Sequence, residues 1–238
     1  MSTPQPLNAV MVRMERVLRQ RGIPVDTVVG GDRLDDVSGP GDREWHRRQR
    51  REVAVGRWQA ITPARYRNAV VQEPRARAWS DAVSRDASSA GALLLTGTTG
   101  TGKTHTAFGA LRLIAETGPV WFQAAALTSA QLYGKLRPNG VPGSTEAELR
   151  RLCAVPLLLL DDLGAGKSSE WTEEVTYRLI DYRYVHCLPT VFTSNFPARD
   201  GTSPDLHSQL GERVTSRLAE MTTIVPMVGP DRRQRDAA

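Results

Sequence analysis

Cysteine, lysine and long apolar runs are all scarce in this chain of 238 residues. Two cysteines are too few for a disulfide framework or for a zinc site built from thiolates alone. Both Cys153 and Cys187 stand among apolar neighbours, which predicts buried thiols. The longest apolar run, Leu152 to Leu160, is far short of the ~20 residues that span a bilayer, so no membrane partner is expected. Met1-Ser2-Thr3-Pro4-Gln5-Pro6 has no cationic start leading into an apolar core, so no secretory signal is visible and a cytoplasmic location is expected. Only Lys103, Lys135 and Lys167 are lysines, so arginine carries nearly all the positive charge.

With 40% apolar and 24% charged residues, the chain has the composition of an ordinary soluble protein, one large domain or one domain with an appendage. The net charge of +5 is unevenly placed. Residues 1 to 80 hold 15 arginines against 9 acids, whereas the remainder holds 16 basic and 17 acidic groups. A basic end suits a polyanion or an acidic protein surface, and equally a solvated face.

Leu7, Val10, Met11, Met14, Val17 and Leu18 recur at helical spacing up to Gly22 and Pro24, which predicts a short amphipathic helix. Val29 to Gly41 is rich in turn formers and reads as a linker. Helices are expected over Asp42 to Ala60, from Pro63, and over Pro74 to Val83. From residue 91 the pattern alternates between strands and helices, which points to βαβ units and a parallel sheet. The expected strands are Ala92 to Thr96, Val120 to Ala124, Leu157 to Leu160, Thr190 to Ser194 and Thr223 to Val228. Between them helices are expected at Lys103 to Thr117, Ser129 to Leu136, Thr145 to Cys153, Glu170 to Val185, and Asp205 to Met221 with a break near Gly211. Thr145 and Glu148 have the spacing of a capping box. The division into parts is then 1–60, a basic helical partner-binding region; 61–90, a helical lead-in; and 91–238, an ATPase domain.

Gly97-Thr98-Thr99-Gly100-Thr101-Gly102-Lys103-Thr104 follows an apolar strand and opens a helix, the setting in which a G-x-x-x-x-G-K-T sequence binds phosphates. Its glycines let backbone N–H groups wrap the phosphate chain, Lys103 reaches the β and γ phosphates, and Thr104 binds Mg²⁺. The apolar strand ending in Asp161-Asp162 offers the second half of such a site. There Asp161 holds Mg²⁺ directly or through water, and Asp162 orients or deprotonates the attacking water. Asn195, at the end of the next apolar strand, either positions that water or starts the turn into Phe196-Pro197. Arg213 and Arg217 lie four residues apart on one helical face.

Together with His105 after the loop, and with Asp161-Asp162-Leu163-Gly164, Ser169-Glu170-Trp171, Tyr182-Arg183-Tyr184, Leu188-Pro189-Thr190 and Leu210 to Glu220, these residues resemble the DnaC-type replicative helicase loaders, a branch of the AAA+ ATPases. The resemblance spans residues 91 to 233, with a fainter echo over Pro63 to Ala69. It implies an AAA+ P-loop fold with a five-stranded parallel sheet flanked by helices, a helical N-terminal extension and no C-terminal lid, and hence no second sensor arginine. It also implies a slow ATPase that forms homo-oligomers around ATP and places a DnaB-type ring helicase on single-stranded DNA. In that family an arginine acts as a finger on ATP bound by a neighbour; it falls on Arg217, with Arg213 as runner-up. Single-stranded DNA contacts are implied between the second strand and the acid-tipped one, where Tyr133, Lys135, Arg137, Arg150 and Arg151 stand. The apolar stripe Val10, Met11, Met14 and Val17 docks on the helicase or on its own basic module. The alternatives are an IstB-type regulator of a transposase, which shares the loop and acid pair, and a small-molecule P-loop kinase, for which residues 198 to 222 offer no acceptor pocket.

Overall fold

The computed structural model describes residues 42–137, 143–166, 169–198 and 204–232. The expected helix over Leu7 to Leu18, with Val10, Met11, Met14 and Val17, and the linker over Val29 to Gly41 lie outside the described residues. One compact unit begins at Arg43. Its first helix, α1 (Arg43–Ile61), buries Ala54 and Trp58, and the Trp58 indole N–H donates to the Phe108 carbonyl at 3.1 Å. The division expected after residue 60 therefore falls inside the packed unit rather than at its edge. The helix expected from Pro63 is a single 3-10 turn (Ala64–Tyr66), and α2 (Pro74–Arg85) follows, capped by the Glu73 carboxylate on the Ala76 N–H.

From there strands and helices alternate: β1 (Ala92–Thr96), α3 (Lys103–Thr117), β2 (Ala124–Thr128), α4 (Ser129–Leu136), α5 (Ser144–Ala154), β3 (Leu157–Asp161), α6 (Glu170–Val185), β4 (Thr190–Ser194), α7 (Leu206–Met221) and β5 (Thr222–Pro226). The five strands form one parallel sheet in the order β2-β3-β4-β1-β5. Strand alternation sends Leu93, Leu95, Leu157 and Leu159 into a core shared with α1, α2 and α3, while Leu94, Leu158 and Leu160 enter the core on the other face. The latter is closed by α4, α5, α6 and α7. Both faces are covered, which is why β1 and β3 read as unbroken apolar runs. Among the described residues no helix is long and apolar enough to cross a membrane.

Four local expectations need correction. The second strand begins at Ala124, because Pro119 to Phe122 makes a turn closed by Phe122 N–H to Pro119 O at 3.0 Å and Val120 is exposed. Three consecutive alanines are poor strand formers, and they form β2 because they pair in register with β3 and tuck under the flanking helices. Thr145 and Glu148 do not form a capping box: the helix N-cap is Gly143, and Glu148 instead accepts from Arg151. Cys187 is exposed, whereas Cys153 is buried as expected. The break in α7 does occur at Gly211, whose φ of 77° lies in the left-handed region.

The largest polar group inside the fold is Arg183 of α6, which is fully buried. Its Nη1 donates to the carbonyls of Val155 at 2.8 Å and Cys153 at 2.9 Å, Nη2 donates to Pro189 O at 2.8 Å, and Nε donates to Thr190 Oγ1 at 2.6 Å. Burial pushes its pKa down to about 9, which still leaves it charged at neutral pH. A guanidinium suits this place because its donors fan out in a plane toward acceptors on different segments. Arg183→Met removes the donors and strands three carbonyls, so it is expected to cost about 3 kcal/mol. That loss is roughly 6–12 °C in melting temperature for a unit of this size, read by thermal unfolding. Arg183→Lys should recover little of it, and full recovery would show that charge rather than fork geometry matters.

Candidate nucleotide site

The loop between β1 and α3 is shaped by Gly97 (φ 146°), Gly100 (φ 86°) and Gly102 (φ 95°), conformations that side chains disfavour. At Gly97 an added Cβ would overlap the Met227 carbonyl, and at Gly100 the Asp231 carboxylate. The glycines thus serve two ends, the turn itself and the close passage of the segment after β5. That segment is pinned by Met227 N–H to Thr96 O at 2.6 Å and Arg232 N–H to Gly100 O at 3.0 Å. Lys103 is buried, and its ammonium donates to the carbonyls of Gly97 and Thr98, both at 2.8 Å. Thr101 closes the loop through its hydroxyl on Thr98 O at 2.9 Å.

Across from the loop, the Asp161 carboxylate at the end of β3 accepts from Thr104 Oγ1 at 3.0 and 3.2 Å and from Thr193 Oγ1 at 2.5 Å. Burial raises its pKa, the nearby Asp162 charge adds to this, and the Thr193 and Thr104 hydroxyls and Lys103 oppose it. Asp162 sits in the left-handed region at φ 56°, with its N–H donating to Thr193 Oγ1 at 3.0 Å. This strained turn aims its carboxylate out of the sheet instead of along β3.

Thr99, Gly100, Gly102, Lys103, Thr104, His105, Asp161, Asp162 and Asn195 line one open cleft of about 480 Å³. Gly97, Thr98 and Thr101 support it from behind. Thr104 and Asp161 converge as hard oxygen donors, and no group of three or more His, Cys, Asp or Glu side chains among the described residues could hold a metal. Two protein oxygens with the rest left to water and phosphate is the donor set that suits Mg²⁺.

Four further residues reach the cleft: Arg65, Tyr66 and Gln72 from the segment before α2, and Arg232 from beyond β5. Burial and the Arg232 charge hold the His105 pKa below its usual value, so His105 faces the site as a neutral ring. The expectation of no second sensor arginine is corrected by Arg232, because the last described segment folds back over the loop. Thr193 was the other omission; a hydroxyl within a fully buried strand, Thr190–Ser194, signals a hidden acceptor.

Other expected residues lie elsewhere. Arg217 is outside the cleft lining; its Nε donates to Asp181 at 3.1 Å and its guanidinium stacks over Tyr184 at 4.6 Å. Arg213 is exposed. Tyr133 does not offer a free stacking face: its hydroxyl pairs with Thr176 at 2.7 Å, its ring meets Trp171 edge-on, and burial raises its pKa. Lys135 and Arg137 are exposed at the end of α4. Arg151 is paired with Glu148 at 2.7 Å, and Arg150 lies 3.9 Å from Glu146.

The family described as "IstB-like ATP binding protein" matches residues 71–238. The replicative helicase loader DnaI of Bacillus subtilis strain 168 is 33% identical over 89 residues, a stretch that covers 37% of this chain and 29% of that protein. The crystal structure of the DnaC helicase loader superposes with a TM-score of 0.58 at 27% identity, covering 70% of this chain and all of that one. The crystal structure of DnaI, at 21% identity and a TM-score of 0.57 over 74% of this chain, shares the fold. With the phosphate loop, the acid pair and the parallel sheet that joins them, the chain belongs to the IstB-like ATP binding protein family.

Proposed function

We propose that this chain is an ATPase that assembles on ATP and single-stranded DNA and delivers a DnaB-type replicative ring helicase. The observation that carries the proposal is the cleft in which Lys103, Thr104, Asp161, Asp162 and Asn195 converge, set in a chain similar along its ATPase region to DnaC and DnaI helicase loaders. In this reading the loop amides and Lys103 hold the β and γ phosphates, and Thr104 and Asp161 hold Mg²⁺. The ion, when bound, offsets charge on the transferred phosphoryl group. Asp162 orients or deprotonates the water, Asn195 fixes its approach, and Arg232 adds positive charge at the cleft. Arg217 faces away from its own cleft and serves the γ-phosphate of a neighbouring subunit, after exchanging Asp181 for phosphate. A second reading, regulation of a transposase, is favoured by the IstB-like family match. Recovery of a hexameric helicase with the full chain, lost in Val10→Asp/Met14→Asp while ATP binding persists, distinguishes the two; recovery of a transposase instead supports the second.

Lys103→Ala should abolish tight ATP binding in a folded protein, as read by nucleotide titration; unchanged affinity would refute the loop assignment. Asp162→Asn should keep Mg-ATP binding and slow hydrolysis on the order of 10². Equal behaviour of Asp161→Asn and Asp162→Asn would refute their separate roles.

Arg217→Ala should bind ATP normally and hydrolyse it slowly, by up to about 10³ if it acts as fingers do elsewhere. Mixed with Lys103→Ala, it should regain part of the activity at interfaces where an intact pocket meets an intact arginine. Absence of recovery in proven mixed oligomers would move the role to Arg213.

A further inference from the structure

The arginines of α1 are placed in a way that the nucleotide cleft does not explain. Ala54 and Trp58 mark the face that this helix turns to the core. One helical face repeats at three- and four-residue steps, so Arg43, Arg47, Arg50 and Arg51 continue the same face toward the N-terminus. All four are exposed, as is every residue from Asp42 to Val53 except Trp45. The backbone at Arg50 and Arg51 passes against Gly118, the C-cap of α3, so the helix runs on past the end of the helix it packs on. A stripe that begins as core therefore leaves the core and becomes a row of arginines.

Among the described residues none of these four guanidinium groups has a carboxylate partner, in contrast to Arg150 and Arg151 on the opposite face of the sheet. Like charges three and four residues apart on a helix repel one another, so the row is relieved by an external anion. Trp45 lies off the row and packs edge-on to His46, so the row has no aromatic platform on which bases could stack. It spans about 12 Å of helix axis. Duplex DNA carries a charge every ~1.7 Å of its axis, and its bases are already stacked inside.

We infer that Arg43, Arg47, Arg50 and Arg51 form a docking surface for the sugar–phosphate backbone of double-stranded DNA. Contact is through charge and without base readout, so binding is independent of sequence. The surface lies outside the ATP cleft and goes beyond the proposed action on single-stranded DNA. The two can fail separately, because helicase capture and the single-strand response test that proposal and duplex affinity tests this one.

The test uses the full chain and a labelled mixed-sequence duplex of about 30 base pairs, with the salt dependence of affinity as readout. Replacing all four arginines by glutamine, a comparable helix former, should make the slope of log K against log salt shallower by about 3 to 4 and weaken binding at ~100 mM salt at least about tenfold. Intrinsic ATP hydrolysis should be unchanged. Replacement of all four by lysine should keep the slope, because point charges suffice, and Lys135→Gln/Arg150→Gln/Arg151→Gln should leave it intact. An unchanged slope in the glutamine variant overturns the inference, as does a loss confined to a single-stranded oligonucleotide of equal length. Loss of helicase capture with the duplex slope intact would assign the row to an acidic protein surface and also overturn it. If the fourfold variant fails to fold, Arg47→Gln and Arg50→Gln singly should each change the slope by about 0.9, and no change in either counts against the site.

Discussion

Arg183 holds together the part of the molecule on which the nucleotide cleft depends. Its planar fork binds the chain just before β3, through Cys153 and Val155, and at the start of β4, through Pro189 and Thr190. The other ends of those two strands carry Asp161, Asp162, Thr193 and Asn195. Five residues of extended chain separate the buried arginine from the chemistry in each case, so the relative height of β3 and β4 at the cleft is set from the opposite edge of the sheet. A neutral side chain could fill the space, but it could not satisfy carbonyls on two separate segments.

Strand order does the rest. The phosphate loop follows β1 and the acid pair ends β3, yet these strands are not neighbours: β4 lies between them. Any ligand spanning loop and acids must lie over the end of β4, which is where Thr193 bonds Asp161 and Asn195 lines the cleft. The Thr193 hydroxyl donates to Asp161 and accepts from the Asp162 N–H, so a single side chain orients both acids. This is the general preference of open α/β sheets for ligands at the carboxyl ends of their strands, realised with one threonine as the joint.

Much of this was legible in the sequence wherever residue type and local setting agreed. The phosphate loop, α3, α6, β1 and β4 stand where spacing put them, because each combines an apolar period with a matching start or stop. The Ala124–Thr128 strand was hidden by alanine, whose weak strand preference is overridden by pairing with β3. The Thr145 cap was displaced by Gly143, whose positive φ starts the helix one residue earlier than a side-chain rule allows. Tyr133 could be placed on its helix but not given its neighbours, since Thr176 and Trp171 arrive from a distant stretch of chain. Arg65, Tyr66, Gln72 and Arg232 are likewise products of tertiary structure: nothing local in their segments announces that both border a phosphate loop.

The segment from Met227 to Arg232 touches that loop at both of its flanks, by the Met227 N–H on Thr96 and the Arg232 N–H on Gly100. The two hydrogen bonds bracket the turn like the ends of a clasp. Loop and clasp consequently share one mechanical coordinate: a displacement of the loop backbone must stretch or release a segment on the protein surface. Nucleotide arrival and departure, which act on the loop amides, thereby acquire an external handle through which motion at the phosphates can be felt outside the cleft.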